Sequence, residues 1–295
     1  MSLVITGATG HLGRLAVEQL LDAGVPAAEI VATGRAVEKI KDLADRGVQT
    51  RAADYGDRIA LRAALDGADR VLLVSLAEPG NREALHGNVI DAAREAGASM
   101  IAYTSIINAG TLTIRLAEDH QATERLLRDS GLSYVLLRNG WYYENYTSRL
   151  PSFLAAGVVP GSAGDGRISA ASRADYAAAA VRVLTTDGHA GRAYELGGDE
   201  PFTLAQLAAE ISAQSGQPVR HADLPEAEYA AALAAHGVPQ LMADVVAETD
   251  SAAARGALYT SSGDLARLIG RPATTLSTAV GTGLRALNGA HSGVS

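Results

Sequence analysis

Three glycines spaced three positions apart follow a short apolar run at the start of the chain. Residues 3–5 have the composition of a buried strand, and residues 6–13, which read TGATGHLG, lead directly into an apolar stripe with helical spacing. Gly7 permits a tight turn, Gly10 lets the backbone approach a phosphate, and Gly13 lets the helix pack closely on the sheet. This strand, turn and helix predict a site for the diphosphate of a dinucleotide, formed by Gly7, Ala8, Thr9, Gly10, His11, Leu12 and Gly13.

The second predicted strand ends in an arginine rather than an acidic residue. Residues 30–33 are a compact apolar run, and Gly34 and Arg35 follow. In a right-handed βαβ unit this strand end lies beside the glycine turn. There an acidic side chain binds the ribose 2′-hydroxyl of NAD, whereas an arginine accommodates the 2′-phosphate of NADP. Arg35 therefore predicts NADPH as the cofactor, the alternative being a solvated surface arginine.

Apolar runs and amphipathic stretches alternate along the first half of the chain. The predicted strands are 3–5, 30–33, 48–53, 71–74, 100–104 and 134–138, and helices lie near 36–46, 57–66, 82–97 and 117–130. This alternation predicts an α/β fold with a doubly wound parallel sheet, the Rossmann arrangement.

Beyond residue 151 the pattern changes to short segments and helices. An alanine-rich helix near 173–186 is expected to return to the sheet, and four more helices are predicted between 203 and 269. We therefore predict an NADP-binding domain over residues 1–150, completed by the returning helix, and a smaller, mostly helical substrate-side lobe over 151–295. The last residues, from 288 onward, are expected to form a frayed tail.

The composition argues against several classes of function. The chain has no cysteine, so it has no disulfide or thiolate site, and a reducing cytoplasm suits it. A net charge of −8 without a basic cluster argues against nucleic-acid binding, and the seven histidines lack metal-ligand spacing. No apolar stretch reaches the ~20 residues of a membrane span, and the start of the chain predicts an unprocessed protein. A homodimer is left open.

Residues at the carboxyl ends of the predicted strands are further site candidates, because ligands of open parallel sheets bind there. Asp54 follows the third strand, where it either accepts from the adenine amino group or caps the next helix. Thr104 and Ser105 follow the fifth strand and are expected near the nicotinamide. The segment after the fourth strand is expected beside the middle of the cofactor: Ser75, Leu76 and Ala77.

Aromatic residues gather after the sixth strand. Trp141, Tyr142 and Tyr143 offer flat surfaces against which a planar substrate can stack, the alternative being that Trp141 packs in the core and the tyrosines lie at its rim. Asn139 and Gly140 precede them and are expected to touch the nicotinamide. Further along, Arg173 is placed to reach the ligand and Asp175 to cap its helix.

These motifs together resemble one family. TGATGHLG, TGR at 33–35, YTS at 103–105, LRNGWYYENY at 137–146 and SRADYAAAA at 172–180 are similar to the NmrA-like, atypical short-chain dehydrogenase/reductases, and above all to their bacterial NADPH-dependent quinone oxidoreductases. The likeness runs along nearly the whole chain. It implies two-electron hydride transfer from NADPH to small quinones, and it implies cofactor or pocket positions at Gly7 to Gly13, Arg35, the segment from Ser75, residues 139–143 and Arg173.

The chain departs from the wider superfamily in its catalytic pair. Where a Tyr-x-x-x-Lys pair is usual, this chain has Leu116 and His120. Reduction of a ketone, which needs a proton donor for a poor alkoxide, is thereby disfavoured. A hydroquinone anion, whose conjugate acid has a pKa of about 10 like a phenol, needs only water or a weak donor. The catalytic residue is thus unknown, with Ser105, His120 and Tyr142 as candidates. The alternative function is an NADP(H)-binding sensor that regulates a partner without turnover.

Overall fold

The computed structural model describes residues 1–76 and 81–291. The strands of this part are β1 (Leu3–Ile5), β2 (Ile30–Gly34), β3 (Gln49–Ala52), β4 (Arg70–Leu73), β5 (Met100–Ile106), β6 (Tyr134–Asn139), β7 (Val158–Gly161), β8 (Ala193–Leu196) and β9 (Arg220–Asp223). Its α-helices are α1 (His11–Asp22), α2 (Lys41–Asp45), α3 (Arg58–Leu65), α4 (Arg82–Glu95), α5 (Arg115–Asp129), α6 (Glu144–Thr147), α7 (Leu150–Ala156), α8 (Arg173–Thr185), α9 (Leu204–Ser215), α10 (Glu226–Ala235), α11 (Gln240–Ala253), α12 (Asp264–Ile269) and α13 (Leu276–His291). Short 3-10 helices span Ala27–Glu29 and Val37–Ile40.

Seven strands form one parallel sheet in the order β3-β2-β1-β4-β5-β6-β8. Every residue of β1, β2 and β5 is buried, as expected of strands covered on both faces. The chain winds from β1 outward through β2 and β3, then returns to β4 and winds the other way. The predicted doubly wound fold is confirmed, and its topological switch point lies between β1 and β4.

Helices cover both faces of this sheet. On one face α1 and α8 pack together through apolar residues such as Val17, Leu20 and Leu184. On the other face α3, α4 and α5 pack side by side through residues that include Leu61 and Leu127. The sheet is thus the middle of three layers. The carboxyl ends of its strands, which we call the carboxyl edge, lie together at one end of these layers.

The sequence prediction missed three strands. β8 adds a seventh strand beside β6, although only six were predicted, and β7 pairs with β9 in a separate two-stranded sheet. Each is only four residues long and reads AYEL, VVPG or RHAD, so none shows a clear period. The expectation of a frayed tail from residue 288 is also wrong for residues 288–291, which continue α13.

A second apolar core lies among the helices that follow β6. Its largest buried side chains are Tyr143, Tyr146, Phe153 and Phe202, with Phe202 stacked against Tyr143. α8 returns to the main sheet as predicted, and β8 joins the same sheet from beyond residue 150. The division into domains at residue 150 stays a prediction.

Candidate cofactor site at the carboxyl edge of the sheet

The glycine turn is built as tightly as its sequence predicts. Gly7 has a φ of +62°, in the left-handed region that favours glycine, and its carbonyl oxygen accepts a hydrogen bond of 2.9 Å from the Gly10 N–H. A methyl group at Gly13 would overlap the Gly7 carbonyl oxygen and lie 2.9 Å from the Cα of Ala8. Gly13 therefore lets α1 start directly against the turn.

The start of α1 leaves backbone donors for an anion. No side chain of the described residues caps the helix at Gly10, and its first turn holds no acidic residue. The first N–H groups of a helix have no partner within the helix, and together with the helix dipole they favour a phosphate. Ala8 and Leu12 are buried and His11 is exposed, and the Ala8 N–H already donates to the Thr33 carbonyl oxygen at 2.8 Å. That Ala8, His11 and Leu12 contact the diphosphate stays a prediction.

Arg35 lies at the exposed edge of the turn. Its side chain is 68% exposed, and its Nε lies 4.0 Å from Oδ2 of Asp54. Gly34 leaves room for Thr9, since a methyl group at Gly34 would lie 2.7 Å from the Thr9 Oγ1. The structure thus brings Thr9, Arg35 and Asp54 together at the carboxyl ends of β2 and β3.

Asp54 does not cap the next helix, so that alternative is wrong. Its Oδ1 accepts from the Gly56 N–H at 2.7 Å, which closes a local turn. The cap of α3 is Asp57, whose carboxylate accepts from the N–H groups of Ile59 and Ala60. Asp54 is therefore free to face Arg35.

The segment after β4 runs past the glycine turn at the switch point. A methyl group at Gly7 would lie 3.3 Å from the Cβ of Val74, which shows how closely the two segments pack. Ser75 and Leu76 follow, partly buried, and Ala77 lies outside the described residues. That Ser75 and Leu76 lie beside the cofactor stays a prediction.

Side chains, rather than strand pairing, hold this segment. The Val74 N–H donates to Thr6 Oγ1 at 3.1 Å, the Ser75 N–H to Thr104 Oγ1 at 2.8 Å and the Leu76 N–H to His86 Nε2 at 3.2 Å. Tyr55 Oη also donates to the Val74 carbonyl oxygen at 2.9 Å. Burial raises the pKa of the Tyr55 phenol, against the opposing effect of its hydrogen bond with Thr6, so it stays neutral. Thr6, Tyr55 and His86 were not predicted.

The end of β6 presents a buried amide. Asn139 is 4% exposed, and its Nδ2 donates to Tyr142 Oη at 3.3 Å. Its Oδ1 is buried and has no hydrogen-bond partner among the described residues. A buried amide oxygen without a partner is costly, and a donor such as a carboxamide would satisfy it. The next residue, Gly140, has no room for a side chain, because a methyl group there would lie 2.6 Å from the Ser169 carbonyl oxygen.

Only part of the aromatic segment lies at this edge. Tyr143 is 2% exposed and stacks on Phe202 with ring centroids 5.7 Å apart, so it serves packing. Trp141 is partly buried against the same core, and its carbonyl oxygen accepts from the Ala171 N–H at 3.1 Å. Tyr142 packs edge-on against Tyr176 at 5.2 Å.

Arg173 lies over Tyr142. The guanidinium carbon is 4.9 Å from the ring centroid, and Nη2 donates to the Asn145 Oδ1 at 3.3 Å. Burial raises the pKa of the Tyr142 phenol, although the Asn139 hydrogen bond and the Arg173 charge oppose it. Arg173 therefore fixes the Tyr142 ring. Its neighbour Asp175 forms a capping box with Ser172, as the cap interpretation predicted.

The hydroxyl proton of Ser105 is already engaged. Ser105 Oγ donates to Glu124 Oε1 at 2.7 Å, and Glu124 also accepts from Arg138 and Arg128. Burial alone would raise the pKa of Glu124, but hydrogen bonds from Arg138 and Ser105 outweigh it and hold the pKa below its ordinary value. Ser105 can therefore accept from a ligand, but it is poorly placed to donate a proton to one.

His120 is buried in the layer between β5 and the helices. It is 6% exposed, and its Nδ1 lies 2.7 Å from Tyr103 Oη. Burial, reinforced by the charge of Arg82 and by His86, lowers the pKa of His120 well below its ordinary value. The residue that replaces the usual lysine is thus a neutral histidine paired with Tyr103. This leaves Tyr142 as the catalytic candidate whose proton is not engaged elsewhere by the contacts above.

Within residues 1–76 and 81–291, no group of three or more His, Asp or Glu side chains could hold a metal ion. Over the same residues, no helix is long and apolar enough to span a membrane.

A glycine turn opening at the switch point of a parallel sheet defines a dinucleotide-binding protein of the Rossmann class. A family model described as NAD(P)H-binding matches residues 7–187, and the chain belongs to this family. The predicted class of protein is thereby confirmed.

Individual relatives are similar over almost the full chain. Quinone oxidoreductase 2 of Escherichia coli is 50% identical over 94% of this chain and 97% of its own length. The crystal structure of the E. coli NADPH-dependent quinone oxidoreductase complexed with NADPH has a TM-score of 0.92 and covers 95% of this chain and 99% of that one. Triphenylmethane reductase of Citrobacter sp., complexed with NADP(H), is 36% identical with a TM-score of 0.90, covering 96% and 100%. An NmrA-like oxidoreductase of Aspergillus flavus is 28% identical over 92% and 91%.

Proposed function

We propose that this protein is an NADPH-dependent quinone oxidoreductase that carries out two-electron reduction of small quinones. The observation that carries the proposal is the near full-length likeness to the E. coli enzyme in sequence and in structure, with 50% identity and a TM-score of 0.92. The same fold places the glycine turn, Arg35 and the Val74–Leu76 segment along one continuous edge.

The residues present fit the cofactor. The glycine turn and the first N–H groups of α1 would bind the diphosphate, and Arg35 would bind the 2′-phosphate of the adenosine. Asn139, whose buried amide oxygen has no partner among the described residues, fits the carboxamide at the other end. NADPH, when bound, supplies the hydride from its nicotinamide ring. Asp54 lies beside Arg35, and its contact with adenine stays a prediction.

The chain itself would act by positioning rather than by acid catalysis. Burial keeps the Tyr142 phenol neutral, and Arg173 and Asn139 hold its ring and hydroxyl at the edge of the site. Trp141 and Tyr142 would stack against a planar quinone and exclude other orientations. Because a hydroquinone anion accepts a proton readily, water or Tyr142 suffices as the donor.

The test is NADPH oxidation followed by its absorbance, with and without a simple benzoquinone. We expect oxidation to depend on quinone and to be much slower when NADH replaces NADPH. Calorimetric titration of NADPH into the same preparation shows separately whether the cofactor binds. Tight binding of NADPH without quinone-dependent oxidation would contradict the proposed enzyme and favour the alternative, a sensor that binds the cofactor without turnover.

A further inference from the structure

The backbone beyond β4 is held by three side chains from three different elements. β4 ends at Leu73, and the next three N–H groups are accepted in turn by Thr6, Thr104 and His86. Thr6 directly follows β1 and Thr104 lies in β5, the two strands on either side of β4. Their hydroxyl oxygens therefore continue the hydrogen bonding of β4 to its neighbouring strands. His86 differs from both, because it comes from α4 and reaches the last of the three donors with a ring nitrogen.

The hydrogen bonds around His86 require one tautomer of its ring. A backbone N–H can only donate, so Nε2, which accepts from Leu76 at 3.2 Å, carries no proton. The proton of the neutral ring is then on Nδ1, which lies 2.9 Å from Thr123 Oγ1. Thr123 can accept it, because its own hydroxyl donates to the Asp119 carbonyl oxygen at 3.1 Å. Each donor in this series of hydrogen bonds, from Leu76 through His86 and Thr123 to Asp119, therefore has an acceptor.

The surroundings keep this ring neutral and fixed. His86 and Thr123 are both 0% exposed, and the His86 ring packs edge-on between Tyr55 and Tyr103 at centroid distances of 6.1 and 5.5 Å. Burial, with the charge of Arg82, lowers the pKa of His86 to about 3. The acceptor nitrogen is thus unprotonated at neutral pH.

We propose that His86 is a positioning residue for the cofactor: its Nε2 fixes the backbone of Leu76 beside bound NADPH, and Thr123 holds the ring in the tautomer that this requires. The inference rests on the proposed function only in that it needs NADPH to lie along the edge of the sheet. His86 itself is fully buried and acts through Leu76. Loss of the Leu76 anchor would loosen a segment that packs on the glycine turn through Val74.

The test compares two substitutions of the same residue. His86→Leu removes both hydrogen bonds. His86→Gln places a side-chain amide at about the position of Nε2, so its oxygen can still accept from the Leu76 N–H. We expect His86→Leu to raise the Kd for NADPH, measured by calorimetry without quinone, by about 10-fold, and His86→Gln to restore it to within about 3-fold of the wild type. The KM for the quinone should change much less than the KM for NADPH.

The matched control is His189, which also has both ring nitrogens hydrogen-bonded, to Thr186 and Tyr194. It precedes β8 and so lies near the amino ends of the parallel strands, away from the candidate site at their carboxyl ends. His189→Leu should leave the Kd for NADPH unchanged. Thr123→Val serves if His86→Leu does not fold, and it should weaken NADPH binding by about 3-fold because the tautomer is no longer fixed.

A histidine ¹⁵N spectrum gives a readout independent of activity. His86 should appear as a neutral ring with its proton on Nδ1 from about pH 5 to about pH 8. A proton on Nε2, or a wild-type Kd for NADPH in both His86→Leu and Thr123→Val, would overturn the proposal. Failure of the proposed function would look different, because wild-type protein would then bind NADPH without reducing quinone while the His86 variants still changed the Kd.

Discussion

The Nε of Arg35 lies 4.0 Å from the Oδ2 of Asp54 where β2 and β3 end. Both side chains are exposed, by 68% and 52%, so the pair is loosely held and the guanidinium is available to a phosphate. A charge at this position separates the two nicotinamide cofactors, because only NADPH carries the 2′-phosphate.

Replacing Arg35 with alanine should weaken NADPH much more than NADH. Loss of a charged hydrogen bond to the phosphate corresponds to about 1–3 kcal/mol, while NADH has no group for this side chain to bind. Calorimetry with both cofactors, at one ionic strength, measures the difference. Arg35→Lys is the matched control, since it keeps the charge but not the planar fork. Its affinity for NADPH should lie between those of the wild type and Arg35→Ala. Equal weakening of NADPH and NADH would remove Arg35 from the phosphate site.

Replacing Gly13 with alanine should disrupt the glycine turn. The added methyl group would overlap the Gly7 carbonyl oxygen, which belongs to the backbone and cannot move aside without shifting the turn. We expect the protein to lose about 1–3 kcal/mol in stability and to bind NADPH at least about tenfold more weakly.

Gly87 provides the matched control for that variant. It lies within α4, where a methyl group would come no closer than 3.6 Å to Leu126. Gly87→Ala should raise the stability by about 0.5–1 kcal/mol, because glycine is unfavourable inside a helix. Urea unfolding of both variants checks this, and an equal response would show that space at residue 13 is not the limiting factor.

The sequence predicts the parts of this molecule whose signal is local. The glycine turn and the buried strands β1, β2 and β5 are continuous patterns, so their positions and the Rossmann fold followed from them. β8 was not predicted, because only its four-residue pairing with β6 makes Ala193–Leu196 a strand. Its Glu195 nevertheless accepts from Arg138 at 2.8 Å and so supports the edge of the site.

The residues that hold the candidate site together were harder to find from the sequence than those expected to line it. His86 reads as one polar position of a polar helix, and its partners Leu76 and Thr123 lie 10 and 37 positions away. Tyr143 showed the converse problem, since its motif suggested a substrate wall while the fold buries it against Phe202. Contacts between distant positions decide both cases, and no single-sequence pattern contains them.

Replacing Tyr142 with phenylalanine tests whether the chain needs a proton donor. The ring would remain under Arg173, and only the hydroxyl would be lost. Because water can protonate a hydroquinone anion, we expect kcat to fall by less than about tenfold, whereas loss of a general acid typically costs 10²–10⁴-fold. Steady-state kinetics with a benzoquinone measures this, and Tyr143→Phe is the buried control. A loss in the larger range would identify Tyr142 as the acid.

The stability of the protein should fall as pH rises through the range in which Asp250 ionises. This carboxyl is 7% exposed beneath the loop after β7, where it accepts from the Ser162 N–H at 2.8 Å, and burial raises its pKa from 3.8 to about 6. The folded protein therefore holds a proton that the unfolded chain releases near pH 4. Its contribution is fully present below about pH 4, is lost as pH rises through about 6, and reaches ~3 kcal/mol at most. His221 and Arg149 favour the ionised form and Asp223 opposes it.

Asp250→Asn should raise the melting temperature at pH 7.5 more than at pH 5, as measured by calorimetry at both pH values. An equal shift at the two would show that Asp250 is already ionised at the lower pH.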